Sequence, residues 1–85
     1  MHQVDFEELN RTLADRASRT WFTATARADG GMVEFEAITL RAGKRLTYLR
    51  PCRMSEVERA GAAAMADEFV AIAAGTLPHG TPPKA

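Results

Sequence analysis

Few groups in this chain could do chemistry, and most of them are cations. Between Thr39 and Met54 stand Arg41, Lys44, Arg45, Arg50 and Arg53, with Tyr48 among them and no acidic residue. Arginine and tyrosine are favoured at protein interfaces, where an acidic surface on another protein would complement this charge. The same residues fit nucleic acid, with arginines on phosphates and the tyrosine stacked on a base. A third reading needs no ligand, because charges on a turn and an edge strand deter strand-to-strand aggregation.

The remaining inventory does not assemble a catalytic centre. His2 and His79 lie in the terminal segments, and two distant histidines with one cysteine do not make a zinc site. Glu34 and Glu36 share a strand parity opposite Thr25 and Arg27, which fits cross-strand ion pairing better than a general acid and base. Glu68 falls at the edge of an apolar helical stripe, with its carboxylate expected in water. Cys52 sits between Arg50 and Arg53, and nearby cations favour the reactive thiolate. It reads either as a small apolar residue beneath a strand-to-helix connection or as an exposed thiol able to form an intermolecular disulfide. Trp21 shares the parity of Thr23 and Thr25, which places it on the open side of a sheet as an anchor for a partner, or else in the core at the sheet edge. Neither a catalytic residue, a metal site nor a cofactor is expected, and the chain does not read as an enzyme.

Positioning these residues falls to a single domain, since 85 residues leave no room for a second core. Eleven basic residues balance 11 acidic ones, so any attraction to a charged ligand must come from a local patch. Hydrophobic residues make up 46% and charged residues 26%, the balance of a globular chain. The longest apolar stretch, near residues 60–74, is rich in alanine and broken by Asp67 and Glu68, so no membrane partner is expected. Met1 to Leu9 is polar and acidic, unlike a signal peptide, and a cytoplasmic location is expected. The lone cysteine leaves a monomer or a homodimer open.

The local patterns give the elements. Asp5 with Glu8 forms a capping box, Val4 and Leu9 are spaced for a hydrophobic staple, and Phe6, Leu9, Leu13 and Ala17 continue a helical stripe to about Ser18. Residues 20–28 alternate as a strand, Asp29-Gly30-Gly31 turns, and Met32 to Leu40 returns. Phe22, Ala24 and Ala26 then share a covered face with Val33, Phe35 and Ala37. Ile38 and Leu40 lie on the opposite parity, which predicts a bulge or a strong twist after Ala37. Arg41-Ala42-Gly43-Lys44 turns into a third strand, Arg45 to Arg50, which Pro51 should end. A last helix is expected from Ser55, boxed with Glu58, to Gly75, with Val57, Gly61, Ala64, Met65, Phe69 and Ile72 on its apolar face and Gly61 allowing close approach to the sheet. Residues 1–75 thus form an α+β two-layer αβββα domain, a three-stranded antiparallel meander with two helices on one face. Residues 76–85, rich in proline and glycine, read as a flexible C-terminal tail with little that can pack.

This order, together with the Gly43-containing turn, resembles the double-stranded-RNA-binding domain. The resemblance implies phosphate contacts from lysines at the start of the last helix, where this chain has Ser55, Glu56, Val57, Glu58 and Arg59. Two glutamates there would repel the backbone, so the resemblance stops at element order. The leading expectation is therefore a small non-enzymatic protein-protein interaction module, an inhibitor or accessory subunit of a larger bacterial or phage machine, whose partner has an acidic surface. Its contact residues would be Arg41, Lys44, Arg45, Tyr48, Arg50, Arg53 and Trp21. The alternative is a nucleic-acid-binding module using residues 41–53.

Overall fold

The computed structural model describes residues 4–83. Helix α1 spans Phe6–Ala17 and begins where the sequence places its cap: the Glu8 amide donates to the Asp5 carboxylate at 3.0 Å. Leu9, Leu13 and Ala17 are buried on one stripe, and Val4 and Phe6 pack against the same core. Three antiparallel strands follow, β1 Thr23–Asp29, β2 Met32–Arg41 and β3 Lys44–Arg53, in the spatial order β1-β2-β3. Gly30 takes φ 62° at the first hairpin, while Ala42 and Gly43 take 52° and 76° at the second. Two consecutive positive φ values are those of a type I′ turn, which matches the twist of the strands it joins.

The register fixes both faces of the sheet. Ala24 faces Ala37, Ala26 faces Phe35, and Val33 faces Cys52, all buried beneath the helices. The core is completed by Phe22, Val57, Met65, Ala66, Phe69 and Ala73, with the Phe35 and Phe69 rings 5.2 Å apart. The opposite face, with Thr25, Arg27, Glu36, Thr47 and Leu49, carries no helix. The architecture is thus a two-layer α+β domain with its helices on one face. No helix among the described residues is long and apolar enough to cross a membrane.

Several local expectations change. Pairing continues without a bulge past Ala37, through Ile38 opposite Thr47 and Leu40 opposite Arg45. Thr39 takes the core position instead and is fully buried, its hydroxyl donating to the Trp21 carbonyl at 2.6 Å, so Ile38 and Leu40 fall on the uncovered face. Pro51 does not end β3, because on an edge strand its missing N–H costs no ladder bond and pairing runs on to Arg53.

The last helix is two: α2, Met54–Ala60, and α3, Ala62–Thr76, separated by Gly61 at φ 87° and ψ 160°. A Cβ on Gly61 would meet nothing within 4 Å, so this glycine serves the break between the helices and not a close approach to the sheet. Glu56, rather than Glu58, reaches back to the helix entrance and accepts from the Arg53 amide at 3.3 Å. The break re-aims α3, so that Ala66 and Ala73 are buried while Ala64 is exposed.

The tail also has more to pack than its composition suggests. Leu77 is buried, and Thr81 forms a two-way backbone pair with Leu40, 2.8 Å in each direction. Gly80 lies flat against β2, where a Cβ would overlap the Leu40 carbonyl oxygen and stand 2.6 Å from Thr39 Oγ1.

Candidate functional site

Among the described residues, no three His, Cys, Asp or Glu side chains converge as a metal centre would require. His79 stacks on Trp21 with ring centroids 3.8 Å apart, and His2 lies outside the described residues. Glu34 is held by Arg27 across the β1–β2 ladder. Cys52 is buried on the helix side of β3 and not presented as an exposed thiol, so an intermolecular disulfide would require it to leave the core. Burial pushes its pKa above the ordinary value, and the opposing pull of Arg50 does not cancel this.

Trp21 precedes β1 and does not stand on the open face. It packs against the core, edge-on to Phe22 and covered by His79, with its indole N–H buried and unbonded. Tyr48 likewise faces the helices and stacks on Phe69 at 5.8 Å, so its ring is occupied inside the fold. Arg50 shares that side and bonds Glu68 at 3.4 Å. Arg45 and Arg53 fall on the uncovered face, with Arg41 and Lys44 exposed at the tip of the hairpin. The basic run is therefore not one compact patch. It follows β3 from end to end, about 30 Å at the usual rise of an extended strand.

Midway between Arg45 and Arg53, on the same face, stands Leu49. It is 49% exposed and is the large hydrophobic side chain most open to solvent among the described residues. A leucine in a strand is ordinarily core, which hides this one in the sequence; its odd parity beside Arg45 and Arg53 is the signal of its exposure. Opposite it on β2 stands Glu36, while Ile38 and Leu40, both half-buried on the same face, lie opposite Thr47 and Arg45 toward the hairpin.

The backbone edge is as informative as the side chains. A two-residue hairpin makes Arg41 and Lys44 a hydrogen-bonded pair, so the alternate residues Leu46, Tyr48, Arg50 and Cys52 bond to β2. Arg45, Thr47 and Leu49 must then point their N–H and C=O groups away from the sheet. No described residue takes these bonds. Beyond them Pro51 has no N–H, and the Arg53 amide is held by Glu56. On the other side of the sheet, Asn10 of α1 bonds both backbone groups of Ala26, at 2.7 and 2.9 Å. Where β1 falls short of Leu40, Thr81 fills the place. The free edge of β3 thus runs over residues 45–49, centred on a run of exposed Thr47 and Leu49 and flanked by arginines.

No family model matches the chain, and neither a curated protein nor a solved structure matches it.

Proposed function

We propose that the protein is a small non-enzymatic module that binds another protein through the β3 edge and the adjoining uncovered face of its sheet. It would act in the cytoplasm as an inhibitor or accessory subunit of a larger bacterial or phage machine. The observation that carries this reading is the unpaired stretch from Arg45 to Leu49 beside an exposed leucine, on a sheet whose other face is buried. Apolar area next to unsatisfied backbone groups is what a partner can cover with a net gain. The nucleic-acid reading is weaker, because Tyr48 stacks on Phe69 and is not free to stack on a base.

The test is site-specific photo-crosslinking in the native host, with the reactive group at Leu49 in one sample and at the exposed Ala71 of α3 in another. A discrete protein adduct from position 49, absent from position 71 and lost on Arg45→Glu, is the expected result. Adducts to nucleic acid alone, or equal labelling from both positions, would overturn the proposal.

A further inference from the structure

We infer that the ligand of the β3 edge is an extended acidic segment of the partner, which adds to the sheet as a fourth strand. This inference rests on the docking function proposed above and names its chemistry.

Two properties of the edge select that ligand. The first is the alternation of free backbone groups: Arg45, Thr47 and Leu49 each offer an outward N–H and C=O, which only another extended backbone can match in spacing. The free stretch covers about five residues, the usual length of a strand. The second is charge. Lys44, Arg45, Arg50 and Arg53 all belong to β3, which carries no acidic residue. On the uncovered face Arg45, Leu49 and Arg53 recur every fourth residue. A guest strand therefore meets a cation, an apolar side chain and a cation in turn. The fitting guest has an apolar residue opposite Leu49 and an acidic one at either end, since opposite charges facing each other across a ladder attract.

The same charge disfavours a second copy of this chain as the occupant. Pairing two β3 edges would gather Lys44, Arg45, Arg50 and Arg53 from both copies with no acid from either strand. Nucleic acid supplies the negative charge but has no alternating N–H and C=O groups to satisfy the edge.

The inference is tested with the intact protein and a fluorescein-labelled peptide of about ten residues. The peptide has a central leucine, a glutamate four positions to either side, and threonine or valine between. Three further probes are a lysine-for-glutamate peptide, a glutamate peptide with alternate backbone amides N-methylated along the pairing edge, and a single-stranded oligonucleotide. Fluorescence anisotropy should show the glutamate peptide binding about tenfold more tightly than the lysine peptide. N-methylation should abolish that binding. Amide hydrogen exchange should slow at Arg45, Thr47 and Leu49, while Leu46, Tyr48 and Arg50 are already protected before the peptide is added. If the N-methylated peptide binds as well as its parent, strand addition is wrong while charge-guided protein docking stands. If the oligonucleotide binds in preference to every peptide, both readings fail. Thr47→Pro removes one outward N–H without changing charge and should weaken the peptide; an unchanged affinity in a variant that melts like the parent protein also counts against strand addition.

Discussion

Gly80 has no side chain because β2 leaves no space for one. With the Leu40 carbonyl oxygen and Thr39 Oγ1 both in the way of a Cβ, Gly80→Ala must lift the tail from the sheet. The His79 ring would then leave Trp21, whose indole gains water. The expected outcome is a red-shifted tryptophan emission with far-ultraviolet circular dichroism unchanged, and an emission maximum identical to the parent would count against tail docking through Gly80. Cys52 makes a different prediction at the same scale. Its folded pKa is raised above 9.0 by desolvation, so the unfolded chain ionises first as the pH climbs. The stability this thiol contributes is complete below its unfolded pKa and is lost as pH rises through the folded value. Cys52→Ala should therefore show a smaller alkaline fall in urea midpoint above pH 9.0 than the parent, even if it starts lower. Equal slopes for the two proteins would show that the thiol does not titrate differently on folding.

Elements are held together here by Asn10, through a distant partner, and by Gly61, through its own conformation. Asn10 lies on α1 yet bonds both the N–H and C=O of Ala26, standing in for a neighbouring strand. Removing it as Asn10→Ala leaves two strand groups unmatched beside the helix, at about 1–3 kcal/mol for such a loss, measured as a drop in denaturant midpoint. Gly61 acts through its backbone: at φ 87° and ψ 160° it lies in a region that other residues rarely enter. Gly61→Ala should thus destabilise by about 1–3 kcal/mol, despite alanine's better helix propensity, and a stabilised variant would mean α2 and α3 merge without strain. The helix α1, both hairpin turns and the buried parity of Ala24, Ala26, Val33, Phe35 and Ala37 are legible in the sequence because caps, turns and alternation are local. Gly61 misled because a glycine among alanines reads equally as a packing notch or a helix break. Thr39 misled because a buried hydroxyl needs an acceptor, and that acceptor, the Trp21 carbonyl, lies 18 positions away.

At the scale of the whole molecule, the candidate site is what the rest of the fold leaves uncovered. The charges from Arg41 to Arg53 are visible in the sequence, but which backbone groups of the sheet stay open is decided by pairings made at long range. Asn10 meets Ala26 across 16 residues and Thr81 meets Leu40 across 41, and neither pairing has a local signature. Like charge along β3 then has a consequence for assembly. An unpaired strand with an exposed leucine invites a second copy, whereas the like charges at Arg45 and Arg53 oppose one. The protein should sediment as a monomer at low ionic strength, where repulsion between edges is least screened. Arg45→Glu removes that protection in a defined way. If two β3 strands meet antiparallel with Leu49 facing Leu49, residue 45 of each copy stands opposite Arg53 of the other, and the substitution converts two repulsive pairs into two attractive ones. Sedimentation equilibrium of this variant should show mass rising with concentration. The rise should fall away when salt is raised to about 1 M, where screening acts within roughly 3 Å. A parent protein that already dimerises at low salt would show instead that the arginines do not guard the edge, and the case for an acidic strand as its ligand would weaken with it.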